Sequence, residues 1–378
     1  MSSSYENTKK LKQKSPKNIS HKLKSESKSS MNSEQQQKRL NENFMDLMKT
    51  LAYIMRKKKD FMRAKAYENA YESIGRIKND ILHPSSLKQT PSIGNAIFEK
   101  LTDYHETGTL RILEKEKDLV KQKKAMDVFA NVYGIGEKKA EELVSNGILT
   151  LNALRKHTDL LNDKQKIGLR YVEDIIQRIP RSEIDRYYST FQESFKSASS
   201  NAPSNASMEI VGSYRRGAAD SGDIDVIITS SDPAVYEKFV DHLLEKGIIK
   251  EVLSRGKTKC LVIARLPDAK VSRRVDFLYT SPDEYPFAVL YFTGSKDFNT
   301  SMREQALKMG YSLNEHGFSK MENRKKGDRL DRLFGSEEEI FDFLNMVYKE
   351  PTARNTSQIE LKRKTSKTVE PEKTAPAK

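Results

Sequence analysis

The sequence contains almost no cysteine and no long apolar segment, and each absence excludes a class of protein. The single cysteine, Cys260, excludes a disulfide within the chain and a cysteine-rich zinc site, and it indicates a reducing compartment. No run of about 18 apolar residues is present, so we expect no membrane span. The first residues lack a positively charged start followed by an apolar stretch, so we expect an intracellular, non-secreted protein. Cys260 lies in an apolar, strand-like run and is expected in the core.

Acidic residues are too few to balance the basic ones, and the excess is unevenly placed. The net charge is +14, of which residues 1–40 carry +7, 41–140 carry +5, 141–350 carry −2 and 351–378 carry +4. A basic surface suits a phosphate backbone as partner, whereas a basic tail also serves simply to keep a protein in solution. We therefore expect the region after residue 40 to contact nucleic acid.

Both ends of the chain are polar. Residues 1–40 and 352–378 contain few apolar residues, so we expect them to be disordered basic tails. Lys/Arg clusters such as Lys362-Arg363-Lys364 favour a nuclear location, although short basic runs also arise by accident.

Three aspartates carry the strongest chemical signal. Asp223 and Asp225 stand two residues apart before the apolar run Val226-Ile227-Ile228, and side chains at that spacing on a strand share one face. Asp276, in Arg-Arg-Val-Asp-Phe, adds a third acid from a neighbouring strand. Carboxylates bind hard divalent cations such as Mg²⁺, and two such ions stabilise the attacking and leaving oxygens of a phosphoryl transfer. The pattern therefore predicts metal-assisted nucleotidyl transfer.

The residues before these acids have the composition of a phosphate-binding turn. Gly212-Ser213 offers backbone N–H groups and a hydroxyl, and Arg215 and Arg216 offer charge suited to a triphosphate. Gly222 lets the chain bend just before the acids.

Two glycine-containing turns precede this region. Thr90-Pro91-Ser92-Ile93-Gly94 and Val132-Tyr133-Gly134-Ile135-Gly136 each lead into a helical pattern, which is similar to a helix-hairpin-helix repeat. Such a turn presents N–H groups to a DNA phosphate without reading bases, so Gly94, Gly134 and Gly136 are candidate DNA contacts. Each glycine alone is also typical of an ordinary helix cap.

Together these motifs resemble the family X DNA polymerases. Gly-Ser-x-Arg-Arg-Gly followed by Gly-Asp-x-Asp-Val is similar to the nucleotidyltransferase signature of that family. Tyr-Phe-Thr-Gly-Ser at 291–295, Leu-Asn-Glu at 313–315 and the closing residues 340–351 also fit. The similarity runs from about residue 41 to 351 and is closest to the beta type.

The resemblance implies a role for each motif residue. The three aspartates would bind two Mg²⁺ ions, with Mn²⁺ as the alternative, and Asp276 would take part in activating the primer 3′-hydroxyl. Contacts to the incoming dNTP are implied for Arg178, Gly212, Ser213, Arg216, Ser221, Gly222, Tyr291, Phe292, Gly294, Asn299 and Arg303. Template contacts are implied for Arg255, Lys257 and Lys259. The hairpin turns would also hold a monovalent cation, Na⁺ or K⁺.

The resemblance also implies a 5′-deoxyribose-phosphate lyase. Lys100 matches the lysine that forms a Schiff base with the abasic sugar, and Arg63, Lys65, Tyr67 and Lys88 would contact the 5′-phosphate. The chain departs from the family pattern at several positions. Arg63 and Ile112 stand where lysine is usual, Ser92 where glycine is usual and Leu278 where arginine is usual, and Lys296 places a cation near the base.

The predicted fold class is α+β, with helical regions followed by a mixed sheet that bears the acids. The predicted divisions are a basic tail (1–40), a helical lyase domain (41–115), a DNA-binding subdomain (116–180), a catalytic palm (181–282), a nucleotide-selecting, thumb-like subdomain (283–351) and a second tail (352–378).

The predicted function is gap-filling DNA synthesis in base excision repair, by a monomer that acts on gapped or nicked DNA alongside repair proteins. Two alternatives stay open: a template-independent terminal transferase, and a non-catalytic DNA-binding scaffold. The three intact acids argue against the scaffold.

Overall fold

The computed structural model describes residues 40–77, 79–200, 202–323 and 325–362. The predicted tail at 1–39, and all of the basic run Lys362-Arg363-Lys364 except its first residue, lie outside them. No helix in these ranges is long and apolar enough to cross a membrane.

The chain divides into two compact units, the first ending at Val120 and the second beginning at Lys121. The helices of the first unit are α1 (Leu40–Lys57), α2 (Phe61–Gly75), α3 (Asn95–Thr107), α4 (Arg111–Lys115) and the first residues of α5 (Lys117–Ala130). Helix α1 has one apolar face that is buried in the core of this unit and includes Phe44, Leu47, Met48, Leu51, Ala52 and Met55. The unit boundary falls five residues after the predicted one at 115.

The second unit begins with small helices and continues into a mixed α+β region, so the predicted fold class is confirmed. Its helices are α6 (Glu137–Ser145), α7 (Leu151–Leu154), α8 (Asp163–Arg170), α9 (Val172–Ile175), α10 (Arg181–Ala198), α11 (Gly212–Arg215), α12 (Ala234–Glu245), α13 (Tyr285–Thr293), α14 (Lys296–Lys308) and α15 (Glu337–Phe343). Its strands are β1 (Ile179–Pro180), β2 (Ser207–Ile210), β3 (Asp220–Ser221), β4 (Ile224–Thr229), β5 (Ile249–Arg255), β6 (Lys259–Ala264), β7 (Arg273–Thr280), β8 (Tyr311–Asn314), β9 (Gly317–Glu322) and β10 (Lys325–Arg329).

The main sheet has the strand order β2-β4-β7-β6-β5, in which β4 and β7 run parallel and the other neighbours run antiparallel. Even-numbered β4 residues such as Val226 pack with α10 and α12 in the large core, which also contains Cys260. Ile227 points to the other face and packs with Leu278 and with Val289 of α13. This alternation places Asp225 of β4 on the side of the sheet that α13 covers.

Order extends past the predicted end of the folded chain. Residues 352–378 were expected to be disordered, but Pro351–Ala353 form a 3₁₀ helix and Leu361 pairs with Met346 in a β-bridge. The prediction is therefore wrong for residues 352–362. Their composition is polar, but Arg354 is fully buried and holds the segment through contacts with distant residues.

Candidate active site

The parallel strands bring the three aspartates together. Asp225 on β4 is the register partner of Asp276 on β7, and Asp223 precedes β4 by one residue. Leu278 and Ile227 mark the face that Asp276 and Asp225 share. The convergence predicted from the spacing of the acids therefore has a structural basis in the pairing of these two strands.

Two cations of the protein engage the outer acids. Arg274 donates from Nη2 to Asp223 Oδ2, and Lys259 Nζ lies 3.4 Å from Asp276 Oδ2. Lys259, predicted as a template contact, is thus beside the acids. Arg274 was not predicted, although its position two residues before Asp276 on one strand places both side chains on the same face.

The local electrostatics oppose three negative charges at this point. Burial, with Asp223 and Asp276 as neighbours, raises the pKa of Asp225 to about 7. Burial also raises the pKa of Asp276, against the lowering effects of Lys259 and Arg274. Arg274 and Lys259 reduce the repulsion among the three aspartate carboxylates.

The donor set suits divalent cations. Asp276 Oδ1 is buried and accepts no hydrogen bond among the described residues. As the side chains stand, no three acidic, histidine or cysteine groups within the described ranges are arranged to hold a metal ion. Arg274 and Lys259, which engage Asp223 Oδ2 and Asp276 Oδ2, are the groups with which a bound ion would compete. Carboxylate oxygens in a partly buried cluster are the ligands that Mg²⁺ prefers.

The predicted phosphate-binding turn lies against the acids. Gly212 has φ +64°, and a Cβ added there would come within 2.5 Å of Asp225 Oδ2, so only glycine fits. Ser213 donates to Ser221 across a 2.7 Å hydroxyl contact. Pairing of β1 with β3 brings Arg178 to Asp220, at 2.7 Å, and beside Gly222. The predicted triphosphate residues of this segment therefore form one local group.

The two neighbouring arginines have different environments. Arg215 is paired with Glu209 at 2.8 Å and with Glu337 at 2.8 Å. Arg216 donates only to neutral oxygens, at 2.6 Å to Thr293 O and at 2.9 Å to Asn355 Oδ1, and no acid within the described ranges forms an ion pair with it. Burial lowers the pKa of Arg216, against the effect of Asp225. Of the two arginines, Arg216 is therefore the one whose charge no acid of the described residues balances.

The other predicted nucleotide contacts lie on α13 and α14. Tyr291 and Phe292 pack edge to face, 5.1 Å apart, and the backbone then turns at Gly294 through a cis peptide to Ser295. Asn299 donates to Tyr291 O at 2.7 Å. Tyr291, Asn299 and Arg303 line one pocket.

The two hairpin turns have the same backbone conformation. Ile93 N bonds to Thr90 O and Ile135 N bonds to Val132 O, and the residues before them, Ser92 and Gly134, both have positive φ, +64° and +82°. The following glycines, Gly94 and Gly136, are the N-caps of α3 and α6, with no side-chain cap. A Cβ at either glycine would meet nothing within 4 Å. The uncapped helix ends are thus open to a phosphate.

We expect the backbone at Ser92 to be strained, because this residue has a positive φ. A non-glycine residue at positive φ costs about 1 kcal/mol, so Ser92→Gly is expected to stabilise the protein by about that amount in urea unfolding. The reciprocal control, Gly134→Ser, is expected to destabilise it, because its Cβ would lie 3.2 Å from Gln165 Cγ at φ +82°. Equal stability of Ser92→Gly and the unmodified protein would contradict this account.

The predicted lyase residues occupy the first unit. Lys100 is half-buried on α3 and its ammonium donates to Ala96 O at 3.2 Å. Arg63 and Lys65 are exposed on α2, and Lys88 is exposed directly after a 3₁₀ turn at Pro84–Leu87. Tyr67 is only 5% exposed and burial raises its pKa, so its ring belongs to the core of the unit. Among the predicted template contacts, Arg255 pairs with Asp241 at 2.6 Å and Lys257 is exposed.

Sequence reasoning missed the network that supports the turn at Gly294. Glu337 pairs with Arg215 and, at 2.6 Å, with the fully buried Arg354. Arg354 O in turn accepts from Ser295 N at 3.1 Å and from Ser295 Oγ at 2.7 Å. Glu337 joins Arg215, 122 positions before it, to Arg354, 17 positions after it, so no local sequence pattern reveals the network.

Comparison with known protein families gives matches over most of the chain. The matching models are a helix-hairpin-helix domain over residues 39–110, the fingers domain of DNA polymerase lambda over 127–176, the DNA polymerase beta palm over 178–282 and the DNA polymerase beta thumb over 288–355.

Curated proteins with similar sequences agree with these matches. DNA polymerase lambda of Arabidopsis thaliana is 30% identical over 336 residues, which are 84% of this chain and 62% of the relative. DNA polymerase lambda of Rattus norvegicus is 30% identical over 78% of this chain and 53% of the relative. The DNA polymerase type-X family protein pol4 of Schizosaccharomyces pombe is 24% identical over 84% of this chain and 65% of the relative. The chain thus spans between 53% and 65% of the length of these relatives.

The four matches follow one another along the chain without overlap, and the palm match contains the three converging aspartates. The chain belongs to the family X DNA polymerases.

Proposed function

We propose that this protein is a template-directed DNA polymerase that fills short gaps in DNA by two-metal nucleotidyl transfer. The observation that carries the proposal is the register pairing of Asp225 with Asp276, next to Asp223 and within one unit with the phosphate turn at Gly212. Family membership supports it, because the relatives are named as DNA polymerases.

The acids would hold the metal. Asp223 and Asp225 would ligate both Mg²⁺ ions and Asp276 one of them, and the ions supply charge that stabilises the phosphates and the attacking oxygen. The side chains of the protein contribute to catalysis by positioning the substrates and by electrostatic stabilisation. The buried Asp276 Oδ1, which accepts no hydrogen bond from the described residues, would accept the proton of the primer 3′-hydroxyl. The 3′ oxygen then bonds to the α-phosphorus, and pyrophosphate leaves.

Arg216 and the phosphate turn would bind the triphosphate. Arg216 has no carboxylate partner among the described residues, so its charge is available, whereas that of Arg215 is balanced by Glu209 and Glu337. The serine pair Ser213 and Ser221 adds hydroxyl donors. The edge-to-face pair Tyr291 and Phe292 would pack on the sugar and disfavour a ribose 2′-hydroxyl, which makes deoxynucleotides the expected substrate.

The first unit would act on the other side of the gap. Lys100 would attack the abasic sugar at a 5′-deoxyribose phosphate, and the exposed Arg63, Lys65 and Lys88 would bind the phosphate. The uncapped helix ends at Gly94 and Gly136 would bind the DNA backbone, with a monovalent cation at the turns. The two activities together fit base excision repair, and the Lys/Arg clusters of the sequence are the basis for a nuclear location.

A one-nucleotide gapped duplex with a 5′-deoxyribose phosphate tests both activities in one tube. With Mg²⁺, dNTPs and borohydride, we expect filling of the gap and a covalent protein–DNA adduct. Lys100→Ala should remove most of the adduct but leave filling unchanged, and Lys100→Arg should do the same, because it keeps the positive charge but not the nucleophile.

The alternatives give different results in the same assay. Addition of nucleotides to a single-stranded primer at the rate seen on the gapped duplex would favour terminal transfer. Filling without a trapped adduct would leave the polymerase and remove the lyase from the proposal. Neither product with Mg²⁺ or Mn²⁺ would favour a DNA-binding scaffold.

A further inference from the structure

The end of the described chain folds back onto α14 and the residues after α15. We define residues 355–362 as the C-terminal strap. Ser301 donates to Ser357 O at 2.6 Å, Val347 N donates to Glu360 O at 2.8 Å and Lys362 N donates to Asn345 O at 2.9 Å. The thumb match ends at residue 355, so nearly all of the strap lies outside the matched family region.

The first residue of the strap is Asn355, which is held on both sides. Arg354 before it is fully buried, and its carbonyl accepts two hydrogen bonds from Ser295. The Asn355 amide donates to Thr352 O at 3.1 Å, which fixes its carbonyl oxygen as the free acceptor. The strap that follows is tied down by the backbone contacts of Ser357 and Glu360.

That acceptor points at Arg216. Asn355 Oδ1 accepts from Arg216 Nε at 2.9 Å, while Thr293 O accepts from Nη1 at 2.6 Å. Two fixed acceptors on different nitrogens determine the plane of the guanidinium. Both acceptors are neutral, so they orient the group without cancelling its charge. A carboxylate in the place of Asn355 would hold the group equally well and would compete with an anionic ligand.

We propose that Asn355 is a positioning residue that aims Arg216 at the triphosphate of the incoming nucleotide. The inference rests on the proposed polymerase function and adds to it a residue at the end of the family match, anchored by a segment beyond that match. The competing explanation is a structural tie, in which the contact between Asn355 and Arg216 only holds the fold together. It predicts that any side chain at 355 that accepts a hydrogen bond leaves nucleotide binding unchanged.

Nucleotide binding separates the two explanations without any turnover. The measurement is the Kd of a matched dNTP, with Mg²⁺, for the protein bound to a gapped duplex whose primer ends in a dideoxynucleotide. We expect Asn355→Ala to weaken binding about five- to tenfold. Asn355→Asp should also weaken it, because the new carboxylate pairs with Arg216, whereas a structural tie would be preserved or strengthened. Gln358→Ala, a change in the same strap, should leave the Kd unchanged.

A double-mutant cycle with Arg216→Ala provides the second readout. In that background Asn355→Ala should have no further effect on the Kd, since Asn355 acts through Arg216. Asn355 is exposed, so the variants should unfold at the temperature of the unmodified protein. Normal binding by Asn355→Asp, or additive effects in the cycle, would overturn the inference while leaving the polymerase in place. Failure of the unmodified protein to bind dNTP on gapped DNA would overturn the proposed function, and the inference with it.

Discussion

Asp225→Asn is expected to lower the rate of gap filling by about a thousandfold or more. The substitution keeps the shape of the side chain but removes a charge from the position where β4 pairs with Asp276 on β7. Gapped-duplex binding should change little, because the basic surface of the first unit is untouched. Single-turnover rates and a DNA-binding titration on the same preparation measure the two effects.

The same variant should be more stable than the unmodified protein in the absence of metal. Burial and the two neighbouring acids raise the pKa of Asp225 to about 7 in the folded protein, whereas an aspartate in the unfolded chain titrates near pH 4. Unfolding therefore releases a proton between these values, and stability falls as the pH rises from about 4 to 7. Asp225→Asn should remove this loss, worth about 2 to 4 kcal/mol above pH 7, and its advantage should shrink toward pH 4.

Asp268→Asn is the matched control, because Asp268 is exposed and pairs with Arg186 away from the acids. It should change neither the gap-filling rate nor the pH dependence of urea unfolding. An Asp225→Asn protein that filled gaps at the normal rate would remove Asp225 from the reaction. One that was less stable at pH 8 with EDTA would contradict the electrostatic description of the site.

Glu337→Gln is expected to cost about 3 to 5 kcal/mol of stability. Glu337 is 7% exposed and neutralises Arg354, which has no exposed surface, together with Arg215. The amide fills the same space but leaves two arginines with too little negative charge in a dry environment. For a unit of this size the melting temperature should fall by about 10 °C.

Glu338→Gln provides the comparison one residue away. A hydrogen bond from Ser336 lowers the pKa of Glu338, but the side chain is exposed, so the loss of its charge should matter little to stability. Similar melting temperatures for the two variants would show that the buried network around Arg354 does not hold the fold. Because the network supports the turn at Gly294, Glu337→Gln should also weaken dNTP binding at temperatures where it is folded.

The parts of the site that follow from local periodicity could be predicted from the sequence. The strand period placed Asp223 and Asp225 on one face, and the structure places them beside Asp276. The residues predicted for the phosphate turn also lie together, because they are close in the sequence. The family and the fold class are confirmed. The beta type was expected, and the palm and thumb models carry the beta name, whereas the two relatives at 30% identity carry the lambda name.

The remaining features depend on contacts between distant residues. Strand β5 was not predicted, because Ile249–Arg255 mixes polar and apolar residues without a clean alternation. The partner of Lys259 could not be foreseen, since an exposed lysine and a lysine beside an acid look alike in a sequence. Asn355 meets Arg216 across 139 positions, and polar composition alone made its segment look disordered. The segment is ordered because Arg354 is buried, and composition does not reveal that burial.

The measurement that tests the central claim most directly is the identity of the nucleotide inserted into a one-nucleotide gap. Four duplexes that differ only in the template base would be offered all four dNTPs with Mg²⁺, and the products identified by mass. We expect the complement of each template base, and no product from Asp276→Asn at matched protein concentration. Insertion that ignored the template, or equal insertion by Asp276→Asn, would contradict a template-directed polymerase built on these three aspartates.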